Sequence, residues 1–330
     1  MGVVEVLRGG LVEARHSLRL AVMDHTGAVV ASVGDIEELT YYRSAAKPLQ
    51  ALPLVEEGVV DRFDLSQAEL ALCCGSDEGG AEHVAAARSI LHQAEIDESL
   101  LRCGAHLPFS QDATSALLAS GGQAERVHNN CSGKHAGMLA LAAALDWDPV
   151  DYHLPQHPVQ RCMLGEIQRW TKLSGQQIRT GVDGCGVVCF AVPLREIAAS
   201  FARFAAAAAR DEAVARVVNA MTEHSFMVGG TGRTCTDVMK QAAGRTFVKV
   251  GAEGVYAGGV TERGLGFAIK VADGGRRAAE VALVRVLSQL GVLSSADVAA
   301  LRRHANPTLL NTRGEEVGQI RAAFDLGTLA

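Results

Sequence analysis

The chain has 330 residues, of which 48% are hydrophobic and 21% are charged, and its formal net charge at pH 7 is −6. This composition is typical of a globular protein and excludes a disordered chain. A net negative charge without any basic run argues against nucleic acid and against an anionic membrane as partners. The length suits one large domain or two of medium size.

Membrane and export signals are absent from the sequence pattern. No apolar stretch reaches the roughly 18 residues of a membrane-spanning helix, and the longest candidate, at 190–209, is interrupted by proline and charges. The first residues lack the long apolar core of a signal peptide. Eight cysteines are scattered along the chain, as expected for reduced thiols. We therefore expect a cytoplasmic protein.

The first third of the chain predicts a hairpin followed by helices. Alternating residues at 17–24 predict a strand, and 28–33 form its return strand after a short turn. A helix is expected to open at 44–47, where a following proline suits a helix start. The capping-box pattern at 66–69 begins a short helix, which leads into a glycine-rich loop at 74–80.

The middle and the end of the chain differ in pattern. Loops at 129–135, 182–186 and 229–233 separate predicted helices that continue to about residue 224. Short strands then follow at 246–250, 255–260 and 266–271, and helices at 276–290 and 295–304. Strands at both ends with helices between them indicate an α+β fold. We expect one domain spanning 1–330, with a mainly antiparallel sheet from about 1–40 and 245–330 and a helical lobe at about 60–240.

Ser44 and Lys47 form a Ser-x-x-Lys motif in which both side chains share one face of a helical turn. A serine hydroxyl becomes a useful nucleophile when a neighbouring unprotonated amine takes its proton. Arg43 can bind a carboxylate through two parallel hydrogen bonds. Ser-x-x-Lys is also common in ordinary amphipathic helices. The other motifs therefore have to decide between a catalytic Ser–Lys pair and an ordinary helix.

Lys249 begins a Lys-x-Gly sequence at the end of the predicted strand 246–250. A Ser-x-x-Lys helix, a middle serine loop and a Lys-x-Gly strand follow one another in this order in serine β-lactamases and penicillin-binding proteins. That order pairs Lys249 with Ser76. Lys270, on the next strand, competes for the role, and an ordinary strand lysine is the other alternative.

Cys131 and Cys185 are the metal candidates of the sequence. Cys131 precedes a predicted helix N-terminus, a position that lowers a thiol pKa. Two thiolates, one nitrogen and a water would suit an open zinc site, although the absence of Cys-x-x-Cys spacing leaves two buried free thiols as an alternative. Asp183 could bind a substrate ammonium group, and with Arg43 on the carboxylate it would define an amino-acid pocket.

Taken together, six motifs resemble the rhizobial-type L-asparaginases, also called the asparaginase II family or class 3 asparaginases. They are Arg43-Ser44-Ala45-Ala46-Lys47-Pro48, Asn130-Cys131-Ser132-Gly133-Lys134-His135, His157-Pro158-Val159-Gln160, Asp183-Gly184-Cys185-Gly186, Gly229-Gly230-Thr231-Gly232-Arg233 and Lys249-Val250-Gly251-Ala252-Glu253-Gly254. The resemblance covers nearly the whole chain. It implies a serine β-lactamase-like fold and hydrolysis of L-asparagine to L-aspartate and ammonia.

The resemblance also assigns roles to individual residues. It implies two Ser–Lys tandems, Ser44 with Lys47 and Ser76 with Lys249, and we expect Ser44 to attack the amide while Ser76 and Lys249 relay a proton, or the reverse. It implies a structural or modulatory zinc ion and a homodimer. The implied zinc ligands are Cys131, Lys134 and Cys185, and the residues near the substrate are Arg43, His135 and Asp183.

The second serine loop departs from the family pattern. Family members usually carry Ser-His-x-Gly-Glu there, whereas this chain has Ser76-Asp77-Glu78-Gly79-Gly80. The change leaves open a related amide as substrate. Two further alternatives are a serine β-lactamase- or peptidase-like amidase and a non-catalytic relative that binds zinc or an amino acid.

Overall fold

The computed structural model describes residues 2–327. The strands are β1 Gly2–Arg8, β2 Leu11–Asp24, β3 Val29–Val33, β4 Leu39–Tyr41, β5 Arg179–Val182, β6 Val188–Pro193, β7 Thr246–Gly251, β8 Val255–Val260, β9 Leu265–Val271, β10 Thr308–Leu310 and β11 Glu316–Ala322. The α-helices are α1 Lys47–Glu56, α2 Val59–Arg62, α3 Gln67–Cys73, α4 Ala81–Gln93, α5 Gln111–Ala119, α6 Ser132–Ala144, α7 Pro158–Thr171, α8 Leu194–Ala207, α9 Glu212–Glu223, α10 Ser225–Gly229, α11 Thr234–Ala242, α12 Arg276–Gln289, α13 Ser295–Ala300 and α14 Arg302–Ala305. Short 3-10 helices lie at Arg43–Ala46, Glu98–Leu100, Arg126–His128, Gly175–Gln177 and Thr261–Arg263.

Two compact units make up the chain. Among the described residues, the first contains 2–45, 191–207 and 237–327, and the second contains 46–190 and 208–236. The first unit therefore collects both chain ends, as the sequence pattern predicts. It also takes in residues 191–207, which the sequence reading placed in the helical lobe. The expected single domain over 1–330 stays a prediction.

The first unit is built on an antiparallel sheet in which the strands follow the order β10-β11-β1-β2-β9-β8-β7, with β3 also paired to β2. The predicted α+β class with an antiparallel sheet from both chain ends is confirmed. Residues of β8 and β9 are buried at nearly every position, which requires cover on both faces of the sheet. Helices α8 and α12 pack against these strands and provide that cover.

Close packing of α8 on the sheet depends on a glycine. A side chain at Gly266 of β9 would lie 2.2 Å from the carbonyl oxygen of Ala198 and from the amide nitrogen of Ala202. Only a residue without Cβ lets the helix approach this closely. Phe201 of the helix then stacks on Phe247 and Phe204 packs against the same ring at a tilt, with ring centroids 5.8 Å apart in both pairs.

The second unit is helical and is organised around α6. Nearly every side chain of α6 is buried, as expected for a helix that is apolar on all sides. It contacts α1, α3, α4 and α7. The N-cap and first turn of α6 contain residues 131–135. The C-terminal end of α3 leads into the Ser76 loop, so both segments belong to one packed unit.

The structure bears out several local signals in the sequence. The Ser66 hydroxyl accepts from the Glu69 N–H and the Glu69 carboxylate accepts from the Ser66 N–H, which completes the predicted capping box. One prediction is wrong: the region after residue 186 does not begin with a helix but with β6, whose last residues pair with β4. A six-residue apolar run carries no period that separates a buried strand from a buried helix. In residues 2–327, no helix combines the length and apolarity needed to cross a membrane.

Candidate active site

Backbone contacts hold the Ser76 loop at the end of α3. The Gly75 N–H donates to the Leu72 carbonyl at 2.8 Å, and the Ser76 N–H donates to the Val228 carbonyl at 2.9 Å. A Cβ at Gly75 would lie 2.7 Å from the Met227 carbonyl oxygen and 2.9 Å from that of Leu72. Glycine is therefore required before the serine, and the serine N–H is already occupied.

Lys47, the first residue of α1, points its buried amine at this loop. Its Nζ donates to the Gly75 carbonyl, to Ser76 Oγ at 3.1 Å and to the Asn130 carbonyl at 3.4 Å. Only 1% of Lys47 is exposed to solvent. Three N–H donors thus meet three uncharged oxygens. If the amine loses a proton, its lone pair can accept the Ser76 hydroxyl proton, which is the geometry of a serine and its general base.

The predicted metal ligands come together in the second unit. Lys134 Nζ donates to Cys185 Sγ at 3.0 Å, and the Cys131 thiol is hydrogen-bonded to Cys185. All three side chains are buried. The residues lie on α6 and in the turn at 183–186, which the sequence separates by about fifty positions.

The two sulfur atoms share one proton unequally. The hydrogen bond from Cys131, helped by the Lys134 charge against the effect of burial, lowers the pKa of Cys185 to about 4. The same hydrogen bond, followed by burial, raises the pKa of Cys131 to about 12. The hydrogen bond with Cys185 and burial thus oppose the expected effect of the helix N-terminus on the Cys131 thiol. Cys185 receives the Lys134 ammonium as a hydrogen-bond donor, whereas the Cys131 thiol also lies 3.7 Å from Asn130 Oδ1.

The cluster fits the donor set of a zinc ion. Burial alone would lower the pKa of Lys134, but the neighbouring Cys185, Cys131 and Asp183 raise it above its ordinary value. Two sulfurs and one nitrogen leave one position of a tetrahedral zinc site open. Binding would require loss of the Cys131 and Lys134 protons. Among residues 2–327, no group of three His, Cys, Asp or Glu side chains forms an alternative metal site.

His135, next to Lys134, is a fully buried neutral imidazole. Burial, and then the Lys134 charge, lowers its pKa well below the usual value. Its Nδ1 lies 2.5 Å from the Tyr152 hydroxyl, which accepts from the Arg102 N–H at 3.0 Å. The hydroxyl proton is then directed to Nδ1, so the His135 proton sits on Nε2. No partner for this Nε2–H is found in the described part of the chain.

Asp183 lies two residues before Cys185 in a tight turn. Its Oδ1 accepts from the Gly184 N–H at 2.7 Å, and its carbonyl accepts from the Gly186 N–H at 2.8 Å. The carboxylate is half-buried and acts electrostatically on Lys134 and Cys185. Asp183 therefore lies beside the sulfur cluster formed by Cys131, Lys134 and Cys185. The contact of Asp183 with a substrate ammonium stays a prediction.

Arg43, Ser44, Lys249 and Lys270 belong to the first unit. Arg43 adopts a left-handed backbone with φ of 50°, an uncommon conformation for a residue with a side chain. Lys249 is fully buried on β7, and its Nζ donates to the Val250 carbonyl at 2.9 Å. Burial, together with the Arg19 and Arg43 charges, lowers the pKa of Lys270. The predicted pairs Ser44–Lys47 and Ser76–Lys249 join residues of different units and stay predictions.

Sequence reasoning missed three contributors. The Asn130 carbonyl accepts from Lys47, and a backbone acceptor leaves no signal in the residue type. Tyr152 orients His135 from outside every motif. Asp77, noted only as a departure from the family pattern, is fully buried next to Ser76. A charged residue beside a candidate nucleophile is the signal that could have drawn attention to it.

A family model described as L-asparaginase II matches residues 4–322. The chain belongs to this family. The resemblance inferred from the motifs is confirmed, and the family supports an asparaginase-type amidohydrolase. No curated protein matches the chain in sequence.

Two solved structures share partial likeness with the chain. Mglu in its tris and glutamate form is 16% identical with a TM-score of 0.37, and the match covers 87% of this chain but only 63% of Mglu. A candidate beta-lactamase from Bacteroides dorei DSM 17855 is 15% identical with a TM-score of 0.36, with 84% and 88% of the two chains covered. At these values the likeness carries no information on activity.

Proposed function

We propose that the protein hydrolyses the side-chain amide of L-asparagine to L-aspartate and ammonia. Membership of the L-asparaginase II family supports the reaction class. The observation that carries the proposal is the buried contact between Lys47 Nζ and Ser76 Oγ at 3.1 Å. It provides a hydroxyl nucleophile and a base in direct contact.

The contact favours the reverse of the serine roles first expected. In the proposed first step, neutral Lys47 takes the Ser76 proton, Oγ bonds to the amide carbon, and the C–N bond breaks. The Lys47 ammonium returns the proton to the leaving nitrogen, which departs as ammonia. In the second step, water attacks the ester while Lys47 takes and returns its proton, so that aspartate leaves and Ser76 is restored.

Other residues would bind the substrate. Asp183 and Arg43 are proposed to bind the ammonium and the carboxylate of the amino acid. His135 offers a buried, neutral N–H donor, which suits a carbonyl or a developing oxyanion. The Ser76 N–H is not available for that purpose because it donates to Val228. Ser44 and Lys249 remain proposed as members of the two tandems that the family resemblance implies, Ser44 with Lys47 and Ser76 with Lys249.

Zinc is proposed as a structural or modulatory ion. Cys131, Cys185 and Lys134 would hold it, and its charge would replace the two protons that these residues now carry. We further propose a cytoplasmic location and a homodimer, and light scattering of the purified protein tests the homodimer directly.

The decisive experiment measures ammonia release from L-asparagine, with L-glutamine and nitrocefin as comparison substrates, with and without added zinc. We expect turnover of L-asparagine and none of nitrocefin. Nitrocefin turnover without ammonia release would instead support a β-lactamase-like amidase. Zinc or amino-acid binding without any turnover would support a non-catalytic relative.

A further inference from the structure

A buried carboxyl group next to Ser76 has an oxygen without a partner. Asp77 is fully buried in the second unit. Its Oδ1 accepts from the Gly79 N–H at 2.8 Å, whereas its Oδ2 has no hydrogen-bond partner within residues 2–327. Leaving a buried polar atom unpaired is costly, so such an atom calls for a physical explanation.

His83, in the first turn of α4, is a second buried titratable residue with one polar atom that lacks a hydrogen-bond partner in the described residues. The ring is fully buried and stacks on Phe226 with centroids 4.7 Å apart. Its Nε2 lies 3.1 Å from the Phe226 carbonyl oxygen, which only accepts, so Nε2 carries a proton. Nδ1 has no partner in the described residues. Burial raises the pKa of the Asp77 carboxyl group, and the electrostatic effect of His83 opposes this increase more strongly than the Gly79 hydrogen bond or Lys47.

Asp77 directly follows Ser76, whose Oγ lies 3.1 Å from the buried Lys47 Nζ, and Asp77 and Lys47 interact electrostatically. Within the second unit, Lys47 interacts electrostatically with Cys73 at the end of α3 and with Cys131 and His135 at the start of α6, and Asp77 interacts with Cys131 and with His83 on α4. Burial raises the pKa of Cys73 above its usual range and lowers that of His135, and Cys131 keeps its proton. Asp77 is therefore the acidic neighbour whose charge can change near Lys47.

We propose that Asp77 is a positioning residue for the Ser76–Lys47 pair: its carboxyl group, balanced by His83, sets the charge beside the Lys47 amine. A carboxylate holds the ammonium form, and a neutral carboxyl group releases the amine to take the Ser76 proton. The pH at which Ser76 becomes activated thus depends on Asp77. This catalytic consequence rests on the proposed function, but the electrostatic effect does not.

Nuclear magnetic resonance of the intact protein tests the effect without activity. The chain has six lysines, so carbon-13 labelling at lysine Cε gives a simple spectrum, and Lys47→Arg assigns the Lys47 signal. Asp77→Asn keeps an oxygen for the Gly79 N–H and removes the charge. We expect the Lys47 signal to titrate about one pH unit lower than in the wild type, because the ammonium loses its neighbouring negative charge.

A matched control removes a charge from the same loop. Glu78 Oε1 accepts from the Thr231 N–H at 2.9 Å, and Glu78→Gln should leave the Lys47 titration in place. His83→Gln serves if Asp77→Asn does not fold. Without His83 the Asp77 carboxyl group keeps its proton more readily, so the Lys47 titration should move in the same direction by less. When Asp77→Asn is already present, His83→Gln should cause no further shift of the Lys47 titration.

Each outcome decides the inference. An unmoved Lys47 titration in the Asp77 and His83 variants, or an equal movement in Glu78→Gln, overturns it. In an active protein, the acid limb of the pH–rate profile for ammonia release should move with the Lys47 signal, and a limb that stays in place overturns the positioning role. If the wild type releases ammonia from no amide, the proposed function fails and the lysine titration still decides the effect of Asp77.

Discussion

Two lysines of the second unit are both buried near a helix N-terminus, yet they meet opposite surroundings. Lys134 donates to the Cys185 thiolate, and the sulfur cluster raises its pKa. Lys47 donates to three uncharged oxygens, one of them the Ser76 hydroxyl. Burial alone therefore does not decide what a lysine does. The Cys185 thiolate holds Lys134 in its ammonium form, whereas the hydrogen-bond acceptors of Lys47 are uncharged and include the Ser76 hydroxyl that a base would deprotonate.

Replacing each lysine in turn should give the largest difference in ammonia release between the two sites. Lys47→Met removes the proposed base, and we expect the rate of ammonia release from L-asparagine to fall about 10³-fold. Lys134→Met, the matched control, removes a lysine that does not touch Ser76, and we expect a loss of about tenfold. Steady-state kinetics checks both variants. Equal losses would mean that the surroundings of the two lysines do not separate their roles.

The sulfur cluster should show its charge directly. Because the pKa of Cys185 is about 4, metal-free protein should display the ultraviolet absorbance of one thiolate at neutral pH and lose it only as the pH falls through about 4. Cys185→Ser should abolish this absorbance and also zinc binding measured by elemental analysis. Cys162→Ser is the control, since burial raises the pKa of Cys162 to about 11. Persistence of the thiolate signal in Cys185→Ser would contradict the assignment.

Loss of the Tyr152 hydroxyl should have a moderate effect on stability. Tyr152→Phe leaves His135 Nδ1 and the Arg102 N–H without their shared partner. We expect the free energy of unfolding to fall by about 1–3 kcal/mol, as measured with a chemical denaturant. An unchanged free energy of unfolding would show that the hydroxyl does not orient the imidazole.

The smallest expected effect concerns the helix that leads to Ser76. Ser66→Ala removes the cap of α3, and we expect a loss of about 1 kcal/mol in the free energy of unfolding. Turnover should stay near the wild-type value because the Gly75 and Ser76 backbone contacts do not involve the cap. A large fall in turnover would show that the serine loop depends on α3 more than these contacts indicate.

The sequence predicts what is local in this molecule. The capping box at Ser66 and the strands at 246–250, 255–260 and 266–271 follow from residue patterns within a few positions. The motif resemblance also identified Cys131, Lys134 and Cys185, which the structure brings together. In contrast, the six-residue strand β6 carries too few residues to show a period.

The site chemistry depends on packing that no local pattern encodes. The contact of Lys47 with Ser76 arises because α1 and the end of α3 pack in one unit. The sequence instead predicted that Lys47 pairs with Ser44 and that Ser76 pairs with Lys249. The distribution of the proton between Cys131 and Cys185 likewise depends on which sulfur receives the Lys134 ammonium. Both outcomes require distances between residues that lie far apart in sequence.

Ammonia release by Ser76→Ala and Ser44→Ala, measured side by side on L-asparagine, tests the central assignment most directly. We expect Ser76→Ala to lose at least about 10³-fold in turnover, and Ser44→Ala to retain much more activity than Ser76→Ala. Near-normal turnover in Ser76→Ala, with loss of activity in Ser44→Ala, would contradict the account.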